Sequence, residues 1–125
     1  MISLSKEQVE ELHKKMVHST GGLNGVRDEF LLDSALSAPL QTFDGAELYP
    51  SIIAKIARVA YSLICNHPFI DGNKRIGTYV MLVLLELNHI ETDLTNNDIT
   101  HIGIELSDGK MNYDELLAFI LDRIK

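Results

Sequence analysis

The chain has 125 residues, 46% of them hydrophobic, and a formal net charge of −7. That length fits one domain, residues 1–125, able to bury about two thirds of its unfolded surface, and the apolar content excludes a disordered chain. The acidity argues against non-specific binding to nucleic acid or to an anionic membrane, and suits a basic partner better.

Ser5 and Gln8 form a capping-box pattern, and Val9, Leu12, Met16 and Val17 then recur at helical spacing. Gly21-Gly22-Leu23-Asn24-Gly25 stops that helix. No strand precedes these glycines, so they read as a connector and not as a dinucleotide-binding loop. Asp28 or a neighbour caps a short helix through Leu31, Leu32, Ala35 and Leu36, which Pro39 ends. Gln41 to Pro50 is irregular, and Asp44-Gly45 between Phe43 and Tyr49 signals the turn of a small hairpin or flap.

Pro50-Ser51 opens a third helix through Ile52, Ile53, Ile56, Val59, Ala60, Leu63 and Ile64, in which Ala54, Ala57 and Ala60 permit close packing. A fourth, from about Lys74 to Asn88, is apolar on nearly every face, which predicts the central helix of a bundle. Thr95 with Asp98 starts a fifth helix, and Asn112 with Glu115 starts a sixth through Leu116, Phe119, Ile120 and Ile124. The predicted class is all-α, about six helices with one short hairpin. Cys65 is the lone cysteine, which excludes an internal disulfide and argues against a thiolate metal site. Charges at Lys6, Glu7, Glu10 and Glu11 leave no apolar leader, and the longest apolar run, Tyr79 to Leu85, is too short to cross a bilayer. The expected location is the cytoplasm.

His67-Pro68-Phe69-Ile70-Asp71-Gly72-Asn73-Lys74-Arg75 lies in the elbow between the third and fourth helices. Pro68 cannot continue a helix and drives His67 out of helical geometry. His67 thus stands at a helix C-terminus, where the dipole favours a proton acceptor. Phe69 plugs the core. Asp71 suits Mg²⁺, which takes one or two carboxylates and keeps several waters; it also suits a plain helix cap. Gly72 permits a backbone shape closed to other residues, and Asn73 and Lys74 open a helix whose unpaired N–H groups attract an anion. Lys74 and Arg75 oppose the dipole there, which makes sense if an anion arrives. The spacing is not that of a P-loop.

This run resembles the signature of the Fic/Doc superfamily, His-Pro-Phe-x-(Asp/Glu)-Gly-Asn-(Gly/Lys)-Arg. Gly21-Gly22 through Arg27-Asp28, the Leu31 to Leu36 helix and Phe43…Tyr49-Pro50 are similar to its death-on-curing (Doc) branch. The resemblance implies the compact Fic fold and an ATP- and Mg²⁺-dependent transferase. His67 then resembles the base that deprotonates a target hydroxyl, and Asp71 the Mg²⁺ ligand. Gly72, Asn73 and Lys74 resemble the phosphate nest, Arg75 the phosphate-neutralising arginine, and Gln41 to Pro50 the flap that pairs with a target segment.

Typical adenylyl-transferring members have Gly at the place of Lys74 and a second Arg at that of Thr78. Both departures resemble Doc-type toxins, in which the γ-phosphate is transferred to a protein hydroxyl. The target implied is a translation factor such as elongation factor Tu, and the silencing partner a separate antitoxin protein. No inhibitory (Ser/Thr)-x-x-x-Glu-(Gly/Asn) helix is found in the sequence: Ser3 and Glu7 have the spacing, but Gln8 follows. AMP transfer by the same residues is the alternative. A non-catalytic interaction module would use the elbow only as a helix corner. A metal hydrolase is disfavoured, since His13, His18, His89 and His101 are scattered and read as surface or cap residues.

Overall fold

The computed structural model describes residues 1–125. Six helices run in order: α1 (Lys6–Thr20), α2 (Glu29–Ser37), α3 (Ile52–Asn66), α4 (Asn73–Leu87), α5 (Asn96–Ser107) and α6 (Tyr113–Leu121). A 3₁₀ turn (Ala38–Leu40) holds Pro39 just after α2, and the two-residue strands β1 (Thr42–Phe43) and β2 (Ala46–Glu47) follow. The all-α class and the hairpin both agree with the sequence. Asp44 and Gly45 take positive φ values of 53° and 81°, as a tight hairpin turn demands. None of the helices is long and apolar enough to cross a membrane.

The helix starts follow from their caps. Ser5/Gln8, Thr95/Asp98 and Asn112/Glu115 each form a reciprocal capping box, while Asp28 and Ser51 cap α2 and α3 through one side-chain oxygen. Each such cap is worth about 1 kcal/mol. Helix α4 differs. Its N-cap is Gly72, at φ 77°, and no side chain closes its first turn.

One expectation needs correction. The central helix is α3, not α4. Helix α3 packs against α2, α4, α5 and α6, and buries Ala54, Ile56, Ala57, Val59, Ala60, Leu63 and Ile64. Helix α4 is apolar all round but leaves Tyr79, Leu82 and Leu87 exposed along one side. The alanines of α3 explain the difference, because small side chains let several neighbours approach one axis. At the α3–α4 crossing Gly77 lies so close to Ile64 that an added Cβ would sit 2.3 Å from Ile64 Cγ1. The flap is moored at its base: Lys55, buried on α3, reaches Glu47 Oε1 at 3.0 Å and the Tyr49 carbonyl. Its tip is free, with Phe43 75% exposed.

The Gly77 contact yields a test. Gly77→Ala gains about 1 kcal/mol of helix propensity in an open helix, but here overpacking against Ile64 is expected to leave a net loss of about 1–3 kcal/mol. Urea denaturation measures it. Combining the change with Ile64→Ala should cost less than the sum of the single variants, and simple additivity would refute the contact.

Candidate functional site

The elbow is built from outside as much as from within. Residues 25–28 run antiparallel to 68–70: Ile70 N–H donates to the Gly25 carbonyl (3.1 Å), Arg27 N–H to Pro68 O (2.8 Å) and Asp28 N–H to Pro68 O (3.1 Å). The Arg27 side chain donates from Nε to His67 O (2.8 Å) and from Nη2 to Asn66 O (3.1 Å). It thereby closes carbonyls that end α3, where a cation is favoured. Phe69, 1% exposed, plugs the core as expected.

His67 terminates α3 in a left-handed conformation, φ 52° and ψ 54°. The following proline bars the right-handed region, and the carbonyl held by Arg27 helps fix the alternative. Its ring is exposed, and Nδ1 lies 3.0 Å from the Cys65 carbonyl. A carbonyl only accepts, so Nδ1 carries the proton and Nε2 keeps a lone pair free to take another.

Asn73 explains why α4 starts bare. Its carboxamide folds back on Phe69, accepting from Phe69 N–H through Oδ1 and donating to Phe69 O through Nδ2, both at 3.0 Å. Asp71 is diverted too. Its Oδ1 accepts from Gly72 N–H (2.8 Å) and its Oδ2 from Leu23 N–H (3.1 Å). Neither side chain caps the helix, so the backbone N–H groups of Asn73, Lys74 and Arg75 have no partner within the chain. Asp71's carboxyl is held below its ordinary 3.8, first by the Leu23 N–H, then by the Gly72 N–H, with Arg75 adding its charge.

Arg75 reaches back across the elbow. Nη1 donates to Thr20 Oγ1 and, at 3.2 Å, to Gly21 O, at the C-terminus of α1. Its other amino group passes close to Gly72 and Gly22: a Cβ added at either would fall 3.3 Å or 3.1 Å from Nη2. A Cβ at Gly22 would also lie 2.7 Å from Asp71 Oδ2. The loop read as a mere connector is therefore a wall of the site. The sequence signals for it were the paired glycines, one of which, Gly22, has φ 118°. Beyond Gly22 an open depression of about 750 Å³ runs along α1, bordered by Lys14, Lys15, His18 and Asn24. Lys74 lines a separate groove of about 360 Å³, together with Arg75, Thr78, Thr100 and Gly103 of α4 and α5. Lys6, Lys55, Arg123 and Lys125 have carboxylate partners within 4 Å; Lys74 and Arg75 do not. Asp71, Gly72 and Arg75 thus converge on Gly22, Lys74 flanks them, and Asn73 contributes its N–H while its side chain braces the turn.

A model of the Fic/DOC family matches residues 3–85, from the start of α1 through most of α4. The chain belongs to the Fic/DOC family. The match takes in the elbow, the glycine loop and the flap, and leaves α5 and α6 outside it. This Fic/DOC chain is also similar to a curated protein, "Toxin Doc" of Mycolicibacterium smegmatis, at 38% identity over 71 residues. That stretch is 57% of this chain and 55% of the relative, so the likeness spans about half of the relative's length.

The donor set suits a magnesium–phosphate unit. One ionised carboxylate stands beside three unpartnered N–H groups, and no cluster of three or more potential protein ligands competes as a self-sufficient metal cage. Mg²⁺ is commonly held this way, by one or two carboxylates completed by phosphate oxygens and water. Three of the other histidines, His18, His89 and His101, are exposed as expected. His13 is not: it is buried against the elbow.

The brace makes a checkable claim. Asn73→Ala deletes both bonds to Phe69 and leaves two backbone groups of the turn unpaired. A loss of about 1–3 kcal/mol in urea denaturation is expected, and Asn73→Asp, which cannot donate when ionised, should recover only part of it.

Proposed function

We propose that the chain is a Doc-like toxin of a toxin–antitoxin pair, and that it phosphorylates a Ser or Thr hydroxyl of a protein target with Mg-ATP. The observation that carries this reading is the bare N-terminus of α4 beside Asp71, with the free Nε2 of His67 at the other end of the same elbow. His67 Nε2 accepts the proton of the attacking hydroxyl as its oxygen bonds to the γ-phosphorus; the bond from that phosphorus to the bridging oxygen breaks, and ADP leaves. The N–H groups of Asn73, Lys74 and Arg75 and the Arg75 guanidinium hold phosphate oxygens. Asp71 would hold the Mg²⁺, which neutralises phosphate charge. The flap, anchored through Lys55 and exposed at Phe43, offers strand edges on which a target segment can be laid.

The preference for phosphate over AMP rests on α4. Thr78 is buried, its Oγ1 3.0 Å from the Lys74 carbonyl and 3.1 Å from that of Arg75. No second arginine enters the groove at that turn, and Lys74 supplies the cation instead. AMP transfer by the same base and nest is the second reading. A translation factor such as elongation factor Tu is the target class we favour, with a separate antitoxin protein as silencer and the cytoplasm as the place of action.

Two outcomes follow. The chain incubated with a cell lysate and ATP labelled at α or at γ should transfer the γ label to a protein, and His67→Ala should lower that rate by about 10²–10⁴-fold with an unchanged melting curve. Undiminished transfer by the variant would remove His67 as base, and transfer of the α label would select AMP. Lys74→Gly should slow γ-phosphate transfer; unchanged kinetics and product would remove the reason to prefer a kinase.

A further inference from the structure

The reaction above leaves one buried polar group at the elbow without a task, the imidazole of His13. It lies on α1 and is 1% exposed. Its ring stacks on Phe69, with centroids 3.9 Å apart and 11° between planes. Its Nε2 lies 2.7 Å from the Asp71 carbonyl oxygen. That oxygen can only accept, so Nε2 bears hydrogen. A leucine or methionine would fill such a space without the cost of burying a polar ring, so the N–H is the feature to explain.

The Asp71–Gly72 peptide supplies the explanation. In a trans peptide the C=O and the next N–H point in opposite directions. Holding the Asp71 carbonyl toward α1 therefore turns the Gly72 N–H away from α1. That N–H is the donor 2.8 Å from Asp71 Oδ1. The chain of contacts runs from His13 to the peptide plane, and from the plane to the carboxylate. Gly72 lies against α1, where a Cβ would meet Met16 Cε at 3.0 Å and His13 Nε2 at 3.7 Å.

We propose that His13 is a positioning residue, whose N–H sets the Asp71–Gly72 peptide plane and so aims the Asp71 carboxylate at the metal and phosphate position. The proposal rests on the Mg-ATP reading for its ligand, but not for its effect on the peptide. His13→Phe keeps the stacking and deletes the N–H; His13→Gln keeps an N–H of similar reach. Each is compared with the wild type in the full chain by Mg-ATP titration in a calorimeter and by amide hydrogen exchange at Gly72 without nucleotide.

His13→Phe should raise the Kd for Mg-ATP about fivefold, the order of one lost hydrogen bond, and speed exchange at Gly72, while His13→Gln stays near the wild type in both. If the phenylalanine does not fold, His13→Met serves as the apolar comparison. Wild-type affinity and exchange in the apolar variant would overturn the proposal, as would a glutamine variant equally impaired. A wild type that does not bind Mg-ATP would defeat the functional reading instead, and the Gly72 exchange rates would still decide whether His13 holds the turn.

Discussion

Everything at this site depends on a helix that begins without a cap. In the other five helices a serine, threonine, asparagine or aspartate closes the first turn. In α4 the two residues able to do so, Asp71 and Asn73, are held elsewhere: one by the N–H groups of Leu23 and Gly72, the other by the backbone of Phe69. An uncapped turn forgoes about 1 kcal/mol. In return, three N–H groups and the positive end of the helix dipole stay open to an anion. The contacts that brace the elbow are the same ones that leave the helix uncapped.

An open helix end is useful only if it is rigid, because a site that moves by an ångström loses much of its effect. Here rigidity comes from both sides. The segment 25–28 pairs with 68–70, and Arg27 locks the end of α3. Beneath, Phe69 is buried against His13, and Gly77 lets α4 press onto Ile64 of α3 only one helical turn beyond Lys74. The core residues nearest the elbow therefore position the site as well as stabilising the fold.

Much of this was legible in the sequence because it is local. The capping boxes at Ser5, Thr95 and Asn112 repeat a four-residue pattern, the Asp44-Gly45 turn a two-residue one, and the elbow is nine consecutive residues. What escaped is non-local. His13 lies 58 residues before Asp71 and Arg27 forty before His67, so spacing carries no trace of either contact. The burial of His13 is not legible, because a histidine at helical spacing among charges looks like a surface residue until its partner carbonyl is known. Likewise α4 looked central from its composition, yet centrality belongs to α3, whose alanines make room for neighbours on several sides. Composition reports how apolar a helix is, and small residues decide how many helices can reach it.

The two cations that open α4 are not equivalent, and the difference bears on what the nest can grip. Both sit where the dipole of α4 repels them. Arg75 is compensated: it lies over the C-terminus of α1 and donates to Thr20 and Gly21, at the negative end of another helix, with Asp71 nearby. Lys74 has no carboxylate within 4 Å and no hydrogen-bond acceptor in the chain, and it faces the groove beside Thr78. Its charge is the less satisfied of the two in the free protein. Its cation therefore gains more than that of Arg75 from an anion that reaches the α4 N-terminus.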